Sequence, residues 1–131
     1  MKKIVFLCVE NSCRSQIAEA FANLHGSNKV LAFSAGSNPS GSVNPKAIKL
    51  LKELNYDLSK HESIHTDALP DVQIDKMVSM GCGDSCPTIR AKERIEWDIP
   101  DPKDMDEDEF RQVIKEIETK VLELLKLKTP I

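Results

Sequence analysis

"IVFLCVENSCRSQIAEAF", residues 4–21, decides the fold. An apolar run from Ile4 to Val9 breaks at Glu10 and Asn11, and from Arg14 onward Ile17, Phe21 and Leu24 recur at helical spacing. A short unbroken apolar run bounded by a turn is the pattern of a strand buried on both faces, as in parallel sheets. Apolar residues three and four apart line one face of a helix. The stretch is therefore strand over 3–9, tight loop, and helix over 14–25. A turn between packed elements needs neither a thiol nor a guanidinium, yet Cys8 stands at the strand end and Arg14 and Ser15 stand at the helix start.

The alternation continues along the chain. "KVLAFSAG" reads as a second strand stopped at Gly36, and "SNPSGSV" as turn chemistry. Asn44 before Pro45 is an N-cap followed by proline at the first helical position, and the helix it opens carries Ala47, Ile48, Leu51 and Leu54 on one face. "DKMVSM" is a third strand, Gly81 to Pro87 a loop, and a fourth, short strand is expected near Ile95. In the last helix Asp106 caps, Glu109 sits at the third position of a capping box, and Met105 can staple onto Phe110. Phe110, Val113, Ile114, Ile117, Val121 and Leu125 then form its apolar stripe. Strand alternating with helix predicts an α/β fold, a parallel sheet with helices on both faces. In such sheets ligands bind beyond the C-terminal strand ends, which is where Cys8 falls.

The totals narrow the function. The 131 residues are read as a single domain over 1–131, with 40% hydrophobic and 30% charged residues typical of a globular protein. A net charge of −3 with four scattered arginines argues against a nucleic-acid face. The apolar run in "MKKIVFLCV" is too short for a membrane span and no small-residue cleavage site follows, so it is read as a buried strand of a cytoplasmic protein with no membrane partner. Four cysteines, at 8, 13, 82 and 86, then call for packing, metal binding or redox chemistry rather than a structural disulfide framework.

Five residues separate Cys8 from Arg14, enough chain to wrap a tetrahedral oxyanion with inward N–H groups from Glu10, Asn11, Ser12 and Cys13. The helix that follows adds its unpaired N–H groups and the positive end of its dipole. Arg14 can grip two oxygens with its planar fork, which lysine cannot do. The field that holds an anion also stabilises a thiolate. Ser15 can donate to the sulfur, and Asn11 tolerates the left-handed backbone of a tight loop. The Cys13 thiol has no evident role in this chemistry and is read as packing.

A second constellation is "SMGCGDSCP", residues 79–87. Cys82 and Cys86, four apart, share one face if the turn is helical and can move if it is a glycine loop. Two buried thiols, a zinc half-site and redox chemistry all remain open from spacing alone, although His25, His61 and His65 show no ligand spacing beside these cysteines. "WDIPDP", residues 97–102, offers two carboxylates, Asp98 and Asp101, as proton donors at a loop mouth.

"CVENSCRSQIAEAF" resembles the signature of the low-molecular-weight protein tyrosine phosphatase superfamily, and most closely its arsenate reductases. "FSAG", "VNPKAI" and "WDIPDP" resemble segments of the same family in the same order, so the resemblance spans essentially the whole chain. It implies a three-layer fold with a four-stranded parallel sheet. It also implies a monomeric enzyme that reduces arsenate, with phosphate and sulfate as competing oxyanions. By the same resemblance Cys8 attacks arsenate, Cys82 forms a Cys8–Cys82 disulfide as arsenite leaves, and Cys86 takes over to give Cys82–Cys86, which thioredoxin reduces. Asp101, directly before proline, matches the general acid, and Asp98 is left as a solvated loop charge. The family admits a potassium ion beside the loop through residues matching Asn11, Glu19 and Ser34, with an acidic ligand near 62–67, but no cofactor is required.

Two departures matter. The thioredoxin-coupled members space the second and third cysteines further apart, and "MGCGDSCP" also resembles relatives that use a low-molecular-weight thiol with a glutaredoxin-like partner. Residue 103 is Lys, where the tyrosine phosphatases carry Tyr. Alternatives are a phosphatase whose extra cysteines regulate it, and a non-catalytic module binding arsenic or metal through thiols. The second has no use for Arg14 or Asp101.

Overall fold

The computed structural model describes residues 2–26, 29–81 and 90–125. Four strands, β1 (Lys2–Leu7), β2 (Val30–Ala35), β3 (Ile74–Met80) and β4 (Ala91–Trp97), form one parallel sheet in the order β2-β1-β3-β4. Three helices, α1 (Arg14–Gly26), α2 (Pro45–Lys52) and α3 (Glu107–Leu124), connect and follow them. The chain runs from β1 outward to β2 and then crosses to β3 on the other side. The connections leaving β1 and β3 therefore diverge, which opens a crevice above their C-terminal ends. The loop after β1 and Gly81 after β3 both lie there.

Local sequence accounts for the elements. In β1, four successive residues, Ile4 to Leu7, are buried, as a central parallel strand requires. The ladder runs one residue past the strand, because Cys8 N–H still donates to Ala35 O at 3.3 Å. Asn44 caps α2 by accepting from Lys46 N and Ala47 N, and Asp106 caps α3 by accepting from Glu109 N at 2.8 Å. Such caps contribute about 1 kcal/mol each. Asn55, at φ +63°, turns the chain out of α2 toward Tyr56. The fourth strand, expected to be short, runs for seven residues.

Ile4 and Phe6 on one face of the sheet share a core with Phe21 of α1, Leu50 of α2, and Phe110 and Ile117 of α3. Trp97 closes it beside Phe6, ring centroids 6.0 Å apart. The opposite face, with Val5, Leu7 and Met77, packs against Ile64 and Leu69 from the connection between α2 and β3. That connection winds through two short 3-10 turns, Leu58–Lys60 and Thr66–Ala68, and pairs His65 beside Gly36. His25 of α1 meets Glu118 of α3 at 2.9 Å, and Arg111 ties α3 to Glu53 after α2. Exposed pairs of this kind contribute about 0–1 kcal/mol each, so the apolar core dominates. Among the described residues no helix is long and apolar enough to cross a membrane.

Candidate active site

The loop from Cys8 to Cys13 is held from outside by its carbonyls. Val9 O accepts from Asn38 N at 2.9 Å, Glu10 O from Ser40 N at 3.0 Å, and Ser12 O from Asn44 N at 2.9 Å. Asn11 O accepts from Gln16 Nε2 at 3.0 Å. In a trans peptide the N–H points opposite to the C=O. With four successive carbonyls tied outward, the N–H groups of Glu10, Asn11, Ser12 and Cys13 turn the other way, toward the cleft. Asn11 reaches this conformation at φ +48°, in the left-handed region that asparagine tolerates.

The loop also depends on Gly36. A Cβ there would lie 2.4 Å from Val9 O, 2.7 Å from Cys8 O and 2.9 Å from Asn11 N. All three are backbone atoms that cannot swing away. The second strand stops at a glycine because the Cys8 loop passes directly over it.

Cys8 is 4% exposed and its sulfur lies 2.8 Å from Ser15 Oγ. Asn11 Nδ2 donates to the same hydroxyl at 2.8 Å. Ser15 therefore has its one hydrogen left for Cys8 Sγ, an interaction stronger with a thiolate than with a thiol. Cys13 is also buried, and burial pushes its thiol up to about 12, so it stays protonated and packs.

Arg14 opens α1 with its side chain mostly covered. Its Nη1 donates to Ile99 O at 2.9 Å, and Gly81 (φ +73°) packs so closely that a Cβ there would sit 2.4 Å from Nη1. One side of the guanidinium is thus fixed. Its Nη2 lies 3.9 Å from Asp101 Oδ2, and Asp101 Oδ1 accepts from Lys103 N at 3.1 Å. Lys103 Nζ reaches across to Glu10, 3.3 and 3.5 Å from the two carboxylate oxygens. Together these groups line a cleft of about 290 Å³ with Cys8 at its base.

Of the residues singled out from sequence, the fold brings together Cys8, Glu10, Asn11, Ser12, Cys13, Arg14, Ser15 and Asp101 around that cleft or its supporting loop. Cys82 and Cys86 lie outside the described residues. Asp98 is exposed. Tyr56 and Trp97 do not line the cleft, since Trp97 is in the core and Tyr56 turns toward His61.

Sequence reading missed the support behind the loop. Gln16, fully buried, donates to Asn11 O, Asn11 Oδ1 and Glu62 O, and accepts from His61 Nδ1 at 2.9 Å. His61 Nε2 faces Tyr56 Oη at 2.5 Å, and burial holds the imidazole below its usual range. Although Glu19 Oε2 lies 3.5 Å from His61 Nδ1, the ring is best described as neutral: Nδ1–H is committed to Gln16 and Nε2 accepts from Tyr56. Glu19 accepts from Ser34 Oγ at 2.5 Å, and burial raises its carboxyl to about 7. The signal for Gln16 was available in "SQIAEAFA", where alanines at 18, 20 and 22 mark a helix buried nearly all round, so a polar residue among them must find partners.

The model of the low molecular weight phosphotyrosine protein phosphatase family matches residues 3–129. The chain belongs to that family. Among similar proteins, arsenate reductase 1 of Staphylococcus epidermidis is 40% identical over 126 residues, covering 92% of each chain. The glutaredoxin arsenate reductase of Synechocystis sp. is 34% identical over 128 residues, covering 95% of this chain and 97% of the relative. Among solved structures, an arsenate reductase in the phosphate binding state superposes with a TM-score of 0.87 at 32% identity, covering 96% of this chain and 98% of that one. The thioredoxin-dependent arsenate reductase of Corynebacterium glutamicum does so with a TM-score of 0.69 at 31% identity, covering 96% of this chain and 61% of that one.

Proposed function

We propose that this family member is an arsenate reductase in which Cys8 is the nucleophile. The observation that carries the proposal is the cleft itself: a sulfur that accepts from Ser15 beneath inward-turned N–H groups, a half-fixed guanidinium and the Asp101 carboxyl group at the mouth. A tetrahedral oxyanion fits that set, with arsenate as substrate and phosphate or sulfate as competitors. The relatives' activity supports the same assignment.

In this reaction Cys8 thiolate attacks arsenic and Asp101 protonates the departing oxygen, which leaves as water. Arg14 and the loop N–H groups hold the charge on the remaining oxygens. Cys82 then attacks Cys8 Sγ, forming a disulfide while the sulfur–arsenic electron pair stays on arsenic, which departs as arsenite. Cys86 attacks Cys82, freeing Cys8 as thiolate, and a dithiol donor, thioredoxin in our proposal, reduces Cys82–Cys86. Thiols cycling through this path belong in a reducing compartment, the cytoplasm.

No potassium is needed in this proposal. Glu19 is engaged by Ser34 Oγ, and Asn11 Oδ1 already accepts from Ile64 N and Gln16 Nε2. Equal turnover in potassium and in choline chloride is the expected result.

The test is arsenate-dependent NADPH oxidation with thioredoxin and thioredoxin reductase, repeated with glutathione and glutaredoxin. Wild type should turn over with thioredoxin, and Cys82→Ser and Cys86→Ser should not. Turnover with glutathione and glutaredoxin alone would remove Cys86 from the relay. A second reading, phosphatase activity, is favoured by Asp101 lying 3.9 Å from Arg14, the arrangement a phosphate ester also needs. If only an aryl phosphate is consumed, equally by all three proteins, the chain is a phosphatase.

A further inference from the structure

Behind the Cys8 loop, hydrogen bonds form one directed chain. Asn23 Nδ2 donates to Tyr56 Oη at 3.0 Å, so the tyrosine's own hydrogen is free to point inward to His61 Nε2, 2.5 Å away. With Nε2 accepting, the imidazole hydrogen sits on Nδ1 and is donated to Gln16 Oε1 at 2.9 Å. Gln16 then presents its NH₂ to Asn11 Oδ1 at 3.0 Å and to Glu62 O at 2.9 Å. The reverse orientation would aim an oxygen at three oxygens. Gln16 and Ile64 N–H together fix the Asn11 amide with Oδ1 toward them, which turns Nδ2 to Ser15 and leaves Ser15's hydrogen for Cys8. Five hydrogen bonds run without a break from Tyr56 to the sulfur.

We propose that Tyr56 and His61 are positioning residues for Cys8: through Gln16, Asn11 and Ser15 they keep a donor pointed at the sulfur. Neither touches the cleft. Their effect is on the direction of one hydroxyl, and hence on how readily the sulfur is held as thiolate. Each amide and ring in the chain serves one way round, and the backbone groups of Asn11, Glu62 and Ile64 hold the inner amides from the other side. The groups facing His61 are Glu19 of α1 at 3.5 Å, Ser34 of β2 behind that carboxyl, and Lys60 and Glu62 beside it in sequence. None of them supplies a donor to Gln16 Oε1 in its place.

The inference rests on Cys8 being the nucleophile, so the test reads the sulfur directly and needs no arsenate. Full-length wild type, Tyr56→Phe, His61→Leu and His61→Asn are alkylated with iodoacetamide at pH 6.5 and pH 9.5, with Cys8 resolved by fragment-ion mass spectrometry. Loss of one link is expected to slow Cys8 at pH 6.5 by about 2- to 10-fold, the range of a single net hydrogen bond, while the rate at pH 9.5 holds. His61→Leu should slow it most, and His61→Asn, which keeps a donor near Nδ1, should recover part of the rate. Identical pH dependence in all four proteins, or an equal fall at both pH values, overturns the proposal, as does a lowered melting temperature with an unchanged pH dependence. If His61→Leu does not fold, Tyr56→Phe, at the half-buried outer end, decides alone. Failure of arsenate turnover with a normal alkylation pattern counts against the reductase assignment and leaves this inference standing.

Discussion

The two sides of the Cys8 loop are built differently. Behind it, Asn11, Ser15, Gln16 and His61 are interlocked at 2.8 to 3.0 Å, with Asn11, Ser15 and Gln16 wholly buried, and no buried side-chain nitrogen or oxygen among the described residues lacks a partner. In front, Arg14 and Asp101 stand 3.9 Å apart and Lys103 meets Glu10 at 3.3 Å through two half-exposed side chains. The back is tied together by buried hydrogen bonds, and the front keeps its charged groups spaced around the cleft. A loop that must hold a charged group cannot reorganise to do so, because reorganisation would consume the binding energy; rigidity behind is what allows spacing in front.

Breaking the front should give the largest effect. Arg14→Lys keeps the charge but loses the fork, and Ile99 O and the cleft can no longer be served together. A fall of about 10²- to 10³-fold in kcat/KM for arsenate is expected, roughly 3–4 kcal/mol, with little change in melting temperature. Steady-state kinetics beside a thermal melt checks this. A loss of stability as large as the loss of rate would mean that Arg14 belongs to the back.

Breaking the back should register first in stability. Gly36→Ala drives a methyl into three backbone atoms of the Cys8 loop and should destabilise by about 3 kcal/mol, the upper end for overpacking. Urea titration measures it; a wild-type midpoint would show that the loop can move away freely.

The back also carries a pH signature. Burial raises the Glu19 carboxyl to about 7 from its unfolded value near 4.5. Between those values the folded chain holds a proton that the unfolded chain has released, so this contribution is full below about pH 4.5 and is lost as pH climbs to about 7. Its ceiling is about 3 kcal/mol. His61, held low by burial, acts in the opposite sense and weakens the fold as pH falls below its unfolded value. Glu19→Gln removes only the first, so its stability relative to wild type should rise between pH 5 and pH 7.5 by up to that amount. A flat difference across that range would mean Glu19 stays ionised.

The smallest expected effect lies at the rim. Lys103 and Glu10 bridge one side of the mouth, and exposed pairs contribute about 0–1 kcal/mol. Lys103→Tyr should change arsenate turnover by no more than about 3-fold while raising hydrolysis of an aryl phosphate, whose ring gains an aromatic wall. Arsenate and aryl phosphate rates moving in parallel would show that the bridge does not select between substrates.

Much of the front was readable along the chain, because Cys8, Arg14 and Ser15 sit on one loop and helix start, and Asp101 sits in a proline-bracketed turn. The back was not. His61, marked from sequence only as lacking ligand spacing beside the cysteines, forms the middle of the support, and Gly36, read as a strand stop, is where two segments pass within backbone contact. His65, its neighbour in the same run, is exposed and accepts from Asp67 N at the start of a 3-10 turn. Nothing local separates the two histidines.

The sequence by itself determined the kinds and order of elements, both capped helices and the anion-ready loop, since each rests on residues within a few positions of one another. Only the tertiary structure decided which distant residues meet: Gln16 with His61, 45 positions on, Arg14 with Ile99, 85 on, and Glu10 with Lys103, 93 on. Those meetings follow from the strand order β2-β1-β3-β4, which carries the ends of β1, β3 and β4 to one edge and folds the 61–66 segment beneath the loop. Periodicity and capping report a residue's neighbours along the chain; a buried hydrogen bond reports its neighbours across it.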